Sequence, residues 1–348
     1  MAVTAQTNTD LASIASFLLC HDDFVVCGHV SPDGDCIGSQ LGLAAALRAA
    51  GKHVACVLAR DDGFEKPFAF LPGAEGLVPA IRYEGPCKTF VAVDVPTRER
   101  IGDAVVLLDQ SEASVTIDHH AVDSTMTELV YVDPDAAAAA LLVWQIAGLL
   151  GVDRQGAIAQ CCYTGVVTDT GRFQYQNADA FALRSAADMV EAGADVSLVA
   201  REVFQSRSIP SLRLESRAVE RMRFGLGGGL VMSWVVQEDF DELGASRPDA
   251  EQLVDALRSI AGVRVACLLR EQDGDVRGNL RAKDGSDVSA VARSLGGGGH
   301  VAAAGFTLRG CGIEEARVQV WDALVEAFGP EFGAEGEGAE VAGKAREA

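Results

Sequence analysis

The sequence predicts an α/β protein: an N-terminal parallel-sheet domain, a smaller C-terminal α/β domain, and a cleft between them. Three observations predict it. Short apolar runs alternate with amphipathic stretches in the first half of the chain. Strand-like runs return after Phe224, again interleaved with helical patterns. Between these regions, from Asp135 to Arg223, the pattern is almost wholly helical. Continuous apolar strands separated by helices read as a parallel sheet covered on both faces.

Taken in order, Phe24–Val30 (FVVCGHV) is a buried strand leading through a polar loop into a helix over Ile37–Ala50. Ile37, Leu41, Ala44 and Leu47 fall on one face of that helix, and Gly51 stops it. Val54–Leu58, Thr89–Val95 and Val115–Asp118 are further strands. Ala136–Leu150, a segment entering Thr168, and Asn177–Ala192 with Asn177 as N-cap are helices. In the second half, strands over Leu230–Val236, Val263–Arg270, Asp275–Lys283 and Ala303–Leu308 alternate with helices over Asp249–Ile260, Val288–Leu295 and Ile313–Phe328. The domains expected are 11–194, a helical linker over 195–214, and 215–330. The Gly-, Ala- and Glu-rich end, 331–348, has little to bury and reads as a disordered tail.

At 348 residues about two domains are expected. Hydrophobic residues at 49% and charged residues at 23% can build a core, which excludes a disordered or fibrous chain. The 29 basic and 50 acidic residues leave a net charge of -21. That argues against long duplex DNA, whose binding proteins collect cations, but it permits a small anion where metal ions supply the positive charge. The nine cysteines form no C-x-x-C pair and read as reduced core thiols. Met1–Asp10 lacks a basic, then apolar, leader, and no run reaches the roughly 18 to 20 apolar residues of a membrane span. The expectation is a soluble, cytoplasmic protein without a membrane partner.

Four acidic or histidine clusters fall at or beyond the ends of these elements: His29, Asp33 and Asp35 in HVSPDGDCIGS; Asp94 ending TFVAVD; Asp118-His119-His120 ending SVTIDHH; and Asp169 in GVVTDTGRF. In open α/β sheets, ligands bind beyond the carboxyl ends of the strands, where three of these clusters lie. One aspartate there is usually a cap or turn residue. Together, five carboxylates and three imidazoles on one rim repel and desolvate one another unless cations neutralise them. Mixed carboxylate and imidazole donors without thiolate suit Mn²⁺ or Mg²⁺, and their number suits two ions. Gly296–Gly299 would let backbone N–H groups approach a phosphate, with Arg281 as a clamp and His300 following directly. By contrast, Gly227–Gly229 reads as a plain turn. His21 and His53 read as surface residues at helix ends without acidic partners. Trp144, Trp234 and Trp321 read as core, and Arg98 as either an ion-pair partner or a substrate contact.

In order and approximate spacing, the four clusters resemble the motifs of the DHH phosphoesterase family. The run GGGGHVAAAGF with Arg281 in NLRAK resembles its C-terminal DHH-associated type 1 domain, as found in the nanoRNase and pAp phosphatase group. The resemblance covers about residues 11–328. It implies that His29, Asp33 and Asp94 hold one metal and that Asp35, Asp94, His119 and Asp169 hold another. It implies that His120 faces the substrate phosphate, that Asp118 orients the loop, and that Arg281, Gly297, Gly298, Gly299 and His300 grip the nucleotide. The cofactors implied are two divalent cations, Mn²⁺ foremost, with Mg²⁺ or Co²⁺ as alternatives. The activity implied is metal-assisted hydrolysis of short oligoribonucleotides (about two to five nucleotides, pApA included) to mononucleotides, and of pAp to AMP. A dimer through the N-terminal domain is also implied. A soluble cyclic-di-AMP phosphodiesterase is the alternative, and a non-catalytic nucleotide sensor stands behind it. Two departures bear on substrate preference alone: Asn279 where the family often has Ser, and Ala136–Ala140 where it often has small hydroxyl residues.

Overall fold

The computed structural model describes residues 4–61, 66–122 and 125–333. The chain divides into two compact units, Met1–Ser206 and Arg207–Ala348. The segment expected as a helical linker is largely helical, in separate pieces. It comprises a helix over Val196–Val199, a wider turn over Ala200–Phe204, a break, and the start of a helix at Ile209.

In the first unit, strands β1 (Phe24–Cys27), β2 (Val54–Leu58), β3 (Val78–Pro79), β4 (Thr89–Val93), β5 (Ala113–Asp118) and β6 (Leu129–Val132) form a parallel sheet in the order β3-β2-β1-β4-β5-β6. The short strands β3 and β6, which periodicity does not predict, are its edges. The segment before the first helix covers β6: Thr4 and Asn8 donate their N–H groups to its carbonyls, which leaves that edge closed to other chains. Strand β1 ends three residues before Val30, because Gly28 packs against the Cys36 side chain and Val30 N–H turns to the Arg100 carbonyl. Strand β4 ends at Val93 because Asp94 adopts a left-handed φ of 53°.

Helices α1 (Leu11–Cys20), α2 (Gly34–Ala49), α3 (Val105–Gln110), α4 (Ala139–Leu149), α5 (Ala157–Asp169), α6 (Ala180–Glu191) and α7 (Val196–Val199) complete the unit. Helix α6 is capped by Asp179, not Asn177, because the Asn177 amide is engaged elsewhere. Helix α2 is buried along nearly its whole length, and Gly34, Gly38 and Gly42 on one side of it meet α5. A Cβ on Gly38 would stand 2.5 Å from the Cys161 carbonyl oxygen and 2.9 Å from the Gly165 nitrogen. The two backbones therefore touch only because side chains are missing there.

The second unit contains α8 (Ile209–Glu220), β7 (Arg223–Gly225), β8 (Leu230–Val235), α9 (Gln237–Leu243), α10 (Leu253–Arg258), β9 (Val265–Gln272), β10 (Asp275–Ala282), α11 (Val288–Ser294), β11 (Gly298–His300), β12 (Ala303–Leu308) and α12 (Ile313–Gly333). Its sheet runs β11-β12-β10-β9-β8-β7 and is antiparallel except between β8 and β9. One face packs on α11 and α12 through Val276, Leu280, Phe306, Val291 and Leu324. On the other face, α8 and α10 cover β8 and β9 through Val231, Leu268, Leu214 and Leu257. Helix α12 runs three residues into the expected tail, and the rest of that segment, 334–348, lies outside the described residues.

Trp144 is buried as expected, but Trp234 and Trp321 are half-buried beneath the guanidinium groups of Arg317 and Arg223, 3.5 and 3.9 Å from their ring centroids. Among the cysteines, six are buried, Cys87 and Cys311 are half-buried, and Cys20 is exposed. No helix among the described residues is long and apolar enough to cross a membrane.

Replacing Gly38 with Ala should destabilise the protein by about 2 kcal/mol, although alanine favours an isolated helix by about 1 kcal/mol. Denaturant unfolding measures this, and a neutral or stabilising result would show that the α2–α5 contact can yield.

Candidate metal centre and substrate-binding face

Strands β1 and β4 are neighbours, and the sheet order reverses between them, so their carboxyl ends open a crevice at the switch point. His29 follows β1, Asp94 follows β4, and Asp118 ends β5, followed by His119 and His120. Helix α2 starts from Asp33, whose Oδ1 accepts from the N–H groups of Asp35 and Cys36. The close α2–α5 contact carries Asp35, in the first turn of α2, and Asp169, at the end of α5, toward the same point.

Asp94 stands at the centre. Its Oδ2 lies 3.5 Å from His29 Nε2, which is 3.8 Å from Asp33 Oδ2. Its Oδ1 lies 3.4 Å from His119 Nε2, which is 3.7 Å from Asp35 Oδ2 and 3.9 Å from Asp169 Oδ2. The two oxygens of one carboxylate thus face two separate donor groups. Ions with bonds of roughly 2.1 Å can bridge donors at these spacings. All six residues named from the sequence as metal ligands converge here. Asp33 is the most exposed, at 60% of its side chain, whereas His29, Asp35, Asp94 and His119 are buried.

The surroundings fix these side chains through the main chain. Asp35 Oδ2 and Oδ1 accept from Ala139 and Ala140 N–H at 2.6 and 2.9 Å, capping α4 from another helix. His119 Nδ1 donates to the Ala136 carbonyl at 3.1 Å, which places the proton on Nδ1 and leaves Nε2 toward the carboxylates. Asn177 Nδ2 donates to the carbonyls of Ala137 and Asp169, tying the end of α5 to the same segment. Residues 136–140 therefore organise three site residues with backbone groups. The sequence marks these positions only as a departure from the family's hydroxyl residues, since alanine itself carries no chemical signal. Asp118 Oδ1 accepts from His120 Nδ1 at 2.8 Å, so it orients the His120 ring. Cys36, read only as core, brings its sulfur within 4.8 Å of donor atoms of His29 and Asp94. Burial, then the charges of Asp94 and Asp33, push its thiol well above the ordinary range, so it stays neutral.

The electrostatics test whether cations fit. Burial, then the neighbouring Asp94, push the Asp35 carboxyl well above its usual range. Burial likewise raises Asp169 to about 6, helped by the charges of Asp33 and Asp94. Burial would also raise Asp94, but the imidazoles of His119 and His29 beside its two oxygens outweigh it and hold the group below the usual carboxylate range. Burial opposes charge on His119 and His120; the carboxylates around them prevail, and both are raised. Without cations the cluster compensates its crowded charge by taking up protons. His29 Nδ1, Asp94 Oδ1 and Asp118 Oδ2 are buried without a hydrogen-bond partner among the described residues. An oxygen-rich, imidazole-containing donor set with buried unsatisfied atoms fits divalent cations.

In the second unit, Arg281 is half-buried on β10, and its guanidinium donates to the Leu280 carbonyl. The glycines before His300 are not equivalent. Gly297 packs directly on the Gly305 carbonyl, Gly299 has a φ of 140°, and Gly296 a φ of 78°. Gly298 is exposed, a methyl placed on its Cα would meet nothing within 4 Å, and its backbone is ordinary, so the fold itself does not require glycine there. Two further readings meet the structure here, one left open and one overturned. Arg98 pairs with Asp109 at 2.5 Å on the surface. His53 is exposed but does have acidic partners, Asp22 at 3.2 Å and Asp23 at 3.9 Å, because β1 and β2 lie side by side. Gly227 lies in a short turn between β7 and β8, as expected.

Residues 23–166 match the model of the DHH family, N-terminal domain, and residues 227–328 that of the DHHA1 domain. The chain is 34% identical to the bifunctional oligoribonuclease and PAP phosphatase NrnA of Thermus thermophilus over 298 residues, 86% of this chain and 88% of that one. It is 26% identical to the protein of the same description from Bacillus subtilis, over 83% of this chain and 90% of that one. The crystal structure of an exopolyphosphatase-related protein from Bacteroides fragilis superposes with a TM-score of 0.85 at 24% identity, covering 95% of this chain and 99% of that one. This last likeness is one of fold.

Divalent cations added to metal-stripped protein should displace protons from the cluster, and more at pH 6 than at pH 8, where Asp169 has already lost its own. Calorimetry in buffers of different ionisation enthalpy measures the release. A release independent of pH would mean that the carboxylates are not the groups displaced.

Proposed function

The chain belongs to the DHH family, and on that premise we propose that it is a two-metal phosphoester hydrolase. Its substrates are short oligoribonucleotides, cut to mononucleotides, and pAp, converted to AMP. The observation that carries this reading is the two-sided environment of Asp94, with the His29 and Asp33 donors on one oxygen and the Asp35, His119 and Asp169 donors near the other. The 34% identity to a relative described as an oligoribonuclease and PAP phosphatase supports the choice of substrates.

His29, Asp33 and Asp94 would hold one cation, and Asp35, Asp94, His119 and Asp169 the other, with Mn²⁺ favoured by the donor set. Bound there, the pair supplies Lewis acidity that polarises the phosphoryl group and acidifies water. The chain's own residues do the rest. Asp35 and His119, locked by the backbone of 136–140, hold their donor atoms without reorganisation. His120, held by the bond from its Nδ1 to Asp118, is placed to donate a hydrogen bond to a phosphate oxygen. In the second unit, Arg281, the Gly297–Gly299 backbone and His300 hold the nucleotide phosphate. The net charge of -21 disfavours long strands.

Incubation with Mn²⁺ and pAp, or a dinucleotide, should yield AMP or mononucleotides. Asp94→Asn, which keeps the shape and tolerates the left-handed backbone, should lower kcat/KM at least about a thousandfold with little change in unfolding midpoint. Nucleotide bound but never turned over would sink the hydrolase, and full activity in the variant would sink the assignment of Asp94.

The glycine loop offers a separate check. Gly298→Ala should raise KM for pAp roughly tenfold, on the order of 1.4 kcal/mol, without loss of stability. Gly297→Ala should instead destabilise the fold, because its Cβ meets the Gly305 carbonyl. Equal KM values for the parent and Gly298→Ala would remove the loop from the substrate site.

A further inference from the structure

Helix α5 ends on Asp169, and the chain then takes three successive left-handed residues, Gly171, Arg172 and Phe173, with φ of 55°, 63° and 60°. One left-handed glycine is enough to end a helix. Gly171 N–H reaches the Thr168 carbonyl at 3.0 Å, and Arg172 N–H the Val167 carbonyl at 2.8 Å. Arg172 and Phe173 go further than the helix end requires, and each carries a Cβ that disfavours this backbone. Such a conformation persists only where its surroundings hold it, and it concentrates at functional sites.

Thr170 supplies the hold. It is fully buried, and its hydroxyl donates to the Val166 carbonyl at 2.6 Å while accepting from Phe173 N–H at 3.2 Å. Its carbonyl accepts from the N–H groups of Gln174 and Tyr175 at 3.0 and 3.1 Å. The Tyr175 ring closes over Gly171, where a Cβ would stand 2.3 Å from it. Asn177 then returns to the Asp169 carbonyl, so the last four carbonyls of α5, Val166 to Asp169, all have donors. The helix end is pinned rather than frayed.

The Asp169 side chain explains what the pinning serves. Asp33 and Asp35 have carboxylate oxygens that accept from main-chain N–H groups, and Asp94 lies between imidazoles. The Asp169 carboxylate accepts no hydrogen bond among the described residues, and its Oδ2 stands 3.9 Å from His119 Nε2. Its direction is therefore set by its own backbone. We propose that Thr170 is a positioning residue for the cation that Asp169 holds: by bridging Val166 and Phe173, its hydroxyl keeps the left-handed turn and aims that carboxylate at the centre. This rests on the two-metal reading and deepens it. The effect is one-sided, because His29 and Asp94 follow strands and Asp33 caps α2, and none of them bonds to the turn.

The test titrates Mn²⁺ into the metal-stripped full chain and counts bound ions by electron paramagnetic resonance, beside unfolding midpoints measured in EDTA. Thr170→Val keeps the shape and removes the hydroxyl. It should weaken binding of one of the two ions by about tenfold to a hundredfold and leave the other close to the parent's affinity. Thr170→Ser, which keeps the hydroxyl, should restore the first ion. Gly171→Ala, which disturbs the turn from the side of the Tyr175 ring, should likewise weaken one ion. A merely structural role would lower the unfolding midpoint of Thr170→Val and leave both affinities alone, or weaken both alike; either result overturns the inference. Should Thr170→Val not fold, Thr170→Ala, which drops the hydroxyl without adding a second methyl, decides by the same readings. A parent chain that binds fewer than two Mn²⁺ sinks the two-metal reading and this inference with it. Two ions bound equally well by the parent and by Thr170→Val sink the inference alone.

Discussion

The contact between α2 and α5 is the constraint on which the rest of the first unit depends. Two buried helices can approach until their backbones touch only where side chains are absent, and Gly34, Gly38 and Gly42 supply that absence along one side of α2. Gly165 answers from α5, with Asp35 Oδ1 and the Ala140 methyl close against it. The approach determines where the first turn of α2 and the last turn of α5 arrive, and hence the separation of Asp35 and Asp169. A wider spacing would leave the sheet intact and scatter the donors.

Bringing those donors together creates an electrostatic demand that the protein alone meets poorly. Asp35, Asp94, His29 and His119 are almost entirely removed from water. Water no longer screens their charges, so each group's protonation depends on its neighbours. The outcome differs sharply between them: Asp94, flanked by imidazoles on both oxygens, stays ionised, whereas Asp35 and Asp169 are driven toward their neutral forms. Divalent cations resolve the conflict at a single stroke, and the unsatisfied buried atoms of His29, Asp94 and Asp118 lie where such charge is wanted. The same crowding that is unfavourable for the fold is what makes the centre reactive toward a phosphate.

Support for the centre comes from a chemically plain part of the chain. Ala136–Ala140 present carbonyls to His119 and Asn177 and N–H groups to Asp35. Alanines suffice because the main chain supplies every one of these hydrogen bonds. This explains why the departure from small hydroxyl residues in this segment leaves the proposed ligand set whole. It also explains why α4 starts at Ala139, later than its apolar pattern suggests. The preceding carbonyls are committed to partners outside any helix.

The order of the longer strands and helices, the boundaries of β2 and β12, and the identity of the acidic and histidine residues were legible in the sequence, because periodicity and ionisable groups are local properties. Strand ends were less so: β1 and β4 stop where Gly28 meets Cys36 and where Asp94 turns left-handed, both consequences of neighbours distant in the chain. The pairing of His53 with Asp22, the arginine lids over Trp234 and Trp321, and the clamp by Asn177 depend likewise on which elements lie side by side. The sequence by itself determined what chemistry the chain carries and in what order. Only the tertiary structure decided that one carboxylate, Asp94, faces both donor groups, and that Arg281 of β10 lies beside Asp255 of α10. Distance and direction between residues far apart in the chain come from packing and strand register, and neither is written in any local stretch of residues.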